Sequence, residues 1–195
     1  SHGGADFAAL VHALDDLGYR VGALEIDAAL FTPQSRPRLF IVAVAKDVDI
    51  PANLIASESS MVWHSKALQK AQMQLTGDAK AQWLWWKMPA PARRNTRFAD
   101  LVEENPESVK WHTPAETAKL IGMMSGVNTE KLAAAKRSGQ LLVGTIYKRT
   151  RLDGDDAKVQ RAEVRFDDIA GCLRTSSGGS SRQLIIVVKG DEVRT

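Results

Sequence analysis

At 195 residues, with 44% hydrophobic and 25% charged residues, the chain has the make-up of a soluble globular protein of one large or two small domains. No apolar run approaches the ~20 residues that span a bilayer, and the first residues lack the basic-then-apolar pattern of a signal peptide. One cysteine and four scattered histidines exclude a disulfide framework and zinc-type spacing, so no metal and a reducing, cytoplasmic setting are expected. Net charge is +3, a mild pull toward a polyanion. Its distribution is sharper: between Lys131 and Arg151 stand six Lys or Arg and no Asp or Glu. Such a stretch suits phosphate, although a solvated basic face accounts for the charge alone.

Phe7, Leu10, Val11, Leu14 and Leu17 recur at the helical period, predicting an amphipathic helix over residues 6–17. Asp6 is its expected N-cap and Gly18 its stop. A strand is expected over 19–26, a loop over 27–37 and a strand over 38–44. The near-continuous apolar run of the second strand predicts burial on both faces. Helix, strand, loop and strand in this order form the pattern of the end of an α/β domain. Residues 47–60 read as a polar loop and 61–75 as a helix ended near Gly77. In Trp83-Leu84-Trp85-Trp86, alternation puts Trp83 and Trp85 on one face and Trp86 on the other. Base stacking is one use for such a cluster; the core of a small domain is the favoured one. Pro89, Pro91, Arg93, Arg94 and Arg97 read as a linker, and 98–102 as a short helix. Thr113-Pro114-Ala115-Glu116 combines an N-cap, a first-turn proline and the glutamate of a capping box. A further helix is expected over 129–137, stopped by Gly139. The last third is β-rich: a strand over 141–150, a turn at Asp153-Gly154-Asp155, an alternating partner over 160–166, a Gly/Ser loop over 171–181, and a strand over 183–189 turned at Gly190-Asp191.

The sharpest local feature is Pro33-Gln34-Ser35-Arg36-Pro37-Arg38-Leu39-Phe40-Ile41-Val42. If extended, it puts Gln34, Arg36 and Arg38 on one side. Three multi-donor side chains there suit a phosphate, a carboxylate or a base edge. A pair of surface arginines at a strand start is an equal reading. Together with Leu17-Gly18-Tyr19-Arg20-Val21 and Ile26-Asp27-Ala28, the stretch resembles the Gln-x-Arg-x-Arg region of DNA (cytosine-5) methyltransferases. A second stretch, Ala170-Gly171-Cys172-Leu173-Arg174-Thr175-Ser176-Ser177-Gly178-Gly179, is similar to the glycine-rich segment late in that family's target-recognition domain. It carries Cys-Leu-Arg-Thr where many members have Thr-Leu-Thr. Residues 47–165 carry no such likeness.

The resemblance implies an α/β (mixed α+β) fold. Residues 1–46 would be the tail of an S-adenosylmethionine-dependent, Rossmann-like catalytic domain, and residues 47–195 a smaller α+β target-recognition region. It implies a parent enzyme, of the kind found in restriction–modification, that flips a cytosine from double-stranded DNA and methylates its C5. In that frame Arg38 approaches the cytosine ring, and Arg36 and Gln34 organise the site. Lys148, Arg149, Arg151, Arg174, Thr175, Ser176, Ser177, Gly178, Gly179, Ser180 and Arg182 are the expected DNA contacts. The Pro-Cys nucleophile, Glu-Asn-Val and the Phe-x-Gly-x-Gly cofactor loop of the family do not occur in these residues. Cys172 follows a glycine and reads as a small, partly buried residue. His112, beside Trp111, reads as structural. The piece alone is expected neither to methylate nor to bind S-adenosylmethionine well. A DNA-binding module of a non-catalytic relative and an unrelated α/β anion-binding domain are the alternatives.

Overall fold

A computed structural model describes residues 2–103, 105–173 and 182–195. The fold is mixed α+β, and every pairing between its strands is antiparallel. The chain forms two compact units, Ser1–Leu30 with Pro37–Ala92, and Phe31–Arg36 with Arg93–Thr195.

In the first unit, helix α1 spans Ala5–Asp16. Its N-cap is Gly4, at φ 105°, and no side chain caps it; the expected cap, Asp6, lies inside the first turn. There a carboxylate still favours the helix dipole. Gly18, at φ 86°, ends the helix as expected. Strands β1 (Tyr19–Asp27) and β2 (Pro37–Ala45) pair along their full length. The other edge of β1 is bonded: Val21 O accepts from Leu84 N at 2.9 Å, and Glu25 N donates to Trp63 O at 2.8 Å. At this approach a Cβ on Gly22 would lie 2.2 Å from Leu84 O, so glycine is required. Strand β2 is not buried on both faces. It is the outer strand of a two-stranded sheet, with Leu39, Phe40 and Val42 exposed at 48%, 48% and 38%. An apolar run records an affinity for cover and not the presence of cover.

Helix α2 is Lys66–Met73, shorter than the 61–75 read from periodicity. Ser65 interrupts that pattern: its Oγ accepts from Leu68 N at 3.3 Å and starts the helix there. Gly77 then opens a short helix, α3 (Gly77–Ala81), instead of ending one. Strands β3 (Ile55–Ala56) and β4 (Trp85–Trp86) form a small second sheet. The tryptophans divide by alternation, as expected. Trp83 and Trp85 pack with Val11, Val21, Leu68 and Leu75, whereas Leu84 and Trp86 pack with Leu24 and Trp63.

In the second unit, helices α4 (Pro114–Gly122) and α5 (Gly126–Arg137) cover one face of a sheet. Its strands are β5 (Leu141–Leu152), β6 (Lys158–Arg165), β7 (Gln183–Lys189) and β8 (Glu192–Arg194), in the order β6-β5-β7-β8. Leu120, Met124, Leu132 and Ala135 pack on Ile146, Ala162, Val164, Ile186 and Val188. The capping box at Thr113 is formed as the sequence predicts, with Glu116 Oε2 accepting from Thr113 N at 2.8 Å. Helix α5 starts three residues before the expected 129. Of the three residues this adds, Asn128 is buried and its Oδ1 accepts from Val164 N at 3.0 Å. Met123 O accepts from Ala162 N, also at 3.0 Å. The end of α4 and the first turn of α5 thus satisfy two amides on the outer edge of β6, at Ala162 and Val164, which would otherwise be open to a foreign strand.

Candidate nucleic-acid interface

The loop at residues 31–36 lies against the chain at 170–173, within the second unit. Ser35 N donates to Ala170 O, and Ala170 N donates to Pro33 O, both at 2.8 Å. Gln34 and Ala170 form an isolated parallel bridge. Arg36 Nη1 donates to Leu173 O at 3.2 Å and approaches Cys172 Sγ at 3.7 Å. Arg36 is therefore a clamp between two segments distant in sequence. The Gln34 side chain is half-buried and makes no hydrogen bond among the described residues. Arg38 belongs to the first unit, at the start of β2. Among the described residues its Nη1 donates only to the neighbouring Pro37 O, at 2.7 Å, which leaves most of its donors open to a ligand there. Cys172 is half-buried, as expected. Arg174, Thr175, Ser176, Ser177, Gly178, Gly179 and Ser180 lie outside the described residues.

The basic residues of β5 divide between the two faces of the sheet. Cross-strand partners share a face. Ile146 stands opposite Val164 and Leu184, and Lys148 opposite Ala162, which places Lys148 on the helix-covered side. Arg149, opposite Arg161, and Arg151, opposite Val159, point the other way, as strand alternation demands. Both arginines converge on Glu163: Arg151 Nε is 2.6 Å from Oε1, and Arg149 Nε 3.8 Å from Oε2. Arg149 also stacks over Tyr147, at 5.2 Å. Burial, and then the Glu163 charge, push the Tyr147 phenol up, so it stays neutral. This face has internal partners; Lys148 has none among the described residues.

Lys148 instead lines a cleft of about 520 Å³ with Lys119 and Arg182. Leu120, Met123 and Leu184 make its apolar surface, and His112, Glu116 and Gln160 complete the lining. The one carboxylate, Glu116, is turned to the capping box, where the Thr113 amide and then its hydroxyl hold its pKa below the usual carboxylate range. Two of the three cations, Lys148 and Arg182, were legible as basic residues. Lys119 was not, because nothing local links a lysine on α4 to the β5–β6 hairpin. His112 is tied to the chain end, its Nδ1 3.0 Å from Thr195 Oγ1 and its N–H on Thr195 O at 2.8 Å.

Among the described residues, neither of two clefts offers S-adenosylmethionine, a cationic sulfonium, an uncommitted carboxylate. The cleft just described is cationic. A second cleft, of about 360 Å³ in the first unit, offers one carboxylate, Glu25, already bonded to Ser65 Oγ at 2.8 Å and offset by Lys70. Among the described residues no three His, Cys, Asp or Glu side chains converge, and no helix is long and apolar enough to cross a membrane. No family model, no curated protein and no solved structure matches the chain.

Proposed function

We propose that the chain is the target-recognition part of a DNA (cytosine-5) methyltransferase, with the closing strands of its catalytic domain. One observation carries the reading. The two stretches that resemble this family, around Gln34–Arg36 and around Ala170–Leu173, are bonded to each other across 137 residues. That the two stretches fold into one feature supports reading them together. In this reading Arg36 holds the chain at Leu173, next in sequence to the Gly/Ser segment expected to contact DNA. Arg38, open to a ligand, meets the cytosine flipped from the duplex. S-adenosylmethionine would supply the methyl group from a site built by the rest of the parent enzyme. The protein works in the cytoplasm, where Cys172 stays reduced.

The test is a fluorescence-anisotropy titration of the chain with a mixed-sequence duplex at low and at moderate salt. Binding that weakens steeply with salt is expected, because phosphate contacts release counterions. No binding at low salt refutes the reading for this chain.

A further inference from the structure

The β5–β6 hairpin outruns the helices that cover it. Strand β5 has 12 residues and α4 has nine. At about 3.4 Å per strand residue and 1.5 Å per helical residue, the strand is roughly three times as long. The helix-covered face is therefore apolar as far as Ile146 and turns basic at Lys148, where the cover ends. Across the gap, Lys119 stands on α4 and Arg182 just before β7. Three cations from three separate segments thus ring one cleft whose apolar surface is Leu120, Met123 and Leu184 and whose lining also includes Glu116. Among the described residues none of the three has an acidic partner. Converging cations repel one another. Glu116, the carboxylate in the lining, is bonded to Thr113 in the capping box and offsets only part of this charge, so the cleft gains from an anion supplied from outside. The apolar surface beside them suits a ligand whose charge is joined to an uncharged body, as a phosphodiester is joined to its sugar.

We infer that this cleft between α4 and the β5–β6 hairpin holds the phosphodiester backbone of the bound duplex. The inference rests on the DNA reading above and assigns it a surface. The cleft, with Lys119, Lys148 and Arg182, makes the backbone contacts. Arg149 and Arg151, on the opposite face and shared with Glu163, contribute less. Contacts to backbone position the duplex without reading its sequence.

The experiment compares duplex binding across a salt series for the wild-type chain, for the triple variant Lys119→Gln, Lys148→Gln, Arg182→Gln, and for a charge-matched control, Lys66→Gln, Lys70→Gln, Lys87→Gln, in the first unit. Each lost phosphate contact lowers the salt slope by about 0.9, so the cleft variant should lose roughly 2–3 from its slope and the control much less. In parallel, NMR follows the His112 ring and the Met123 methyl of the wild-type chain during titration with the duplex and, separately, with deoxyadenosine monophosphate. Shifts with the duplex are expected, and they keep the inference testable if the cleft variant fails to fold. Duplex binding with an unchanged slope in the variant and unmoved cleft signals overturns this inference and leaves the DNA reading intact. Cleft signals that move with the mononucleotide and not with a bound duplex also overturn it, making the source a free nucleotide. No duplex binding by the wild-type chain sinks both.

Discussion

Replacing Trp83 separates two uses of the tryptophan cluster. Trp83 is 9% exposed and packs edge-on against Phe7, with ring centres 5.9 Å apart, and against Trp85, at 5.6 Å and 76°. Around it lie Val11, Val21, Leu68 and Leu75. A ring in this position is core and has little face left for a base. Trp83→Ala should therefore cost about 3–5 kcal/mol in stability, as buried aromatic truncations do, with the two edge-on contacts supplying part of it. That is a large share of the roughly 5–15 kcal/mol holding a typical domain together. A gentler variant, Trp83→Phe, should lose about 1–3 kcal/mol and remain folded. The assay is urea denaturation followed by far-UV circular dichroism, which does not depend on the residue removed, with duplex affinity measured on Trp83→Phe. The expected result is a lowered midpoint and unchanged affinity. If Trp83 instead stacked on a base, stability would hold and affinity would fall by about 1–3 kcal/mol; that outcome refutes the core assignment.

Three further outcomes are expected. Thr113→Ala removes the side-chain half of the capping box that starts α4 and should destabilise the second unit by about 1 kcal/mol, read as a shift in its thermal midpoint. His64 is fully buried against Trp85; its Nδ1 accepts from Ser60 N at 2.8 Å and its Nε2 has no partner among the described residues. Burial lowers its pKa below the ordinary 6.5, so the folded state keeps it neutral while the unfolded state protonates. Its contribution is complete above pH 6.5 and is lost as the pH falls through and below that value; urea midpoints between neutral and acid pH should show this slope, and His64→Gln should reduce it. On the proposed reading, Arg38→Ala in the parent methyltransferase should lower methylation more than duplex affinity, measured by methyl incorporation and by anisotropy. Equal losses would count against a role for Arg38 at the base.

Local chemistry was the most legible part of the chain. The Thr113–Glu116 capping box, the stop at Gly18 and the β5–β6 hairpin each depend on donors, acceptors or torsions within a few residues. The tryptophan alternation was legible for the same reason, since strand geometry alone assigns the faces. What escaped was tertiary. The apolar run of β2 was read as buried on both faces, and Leu39, Phe40 and Val42 are exposed instead. The helix expected over 61–75 is shorter because Ser65 offers a cap in the middle of the pattern. At the candidate interface, the opposite faces of Lys148 and Arg149 follow from alternation and were open to reading. Their different fates were not: Glu163 comes from the partner strand and Lys119 from a helix. Nor does any local signal tell that Arg36 reaches Leu173; only the fold brings the loop to that carbonyl.

The most direct test of target recognition is selection of bound duplexes from a random-sequence pool by this chain, followed by sequencing of what is retained. A recognition region should enrich a short motif containing a cytosine, each wrong base pair costing about 1–3 kcal/mol. Retention of the pool without enrichment would leave a backbone-binding surface with no sequence to read, and would contradict the assignment.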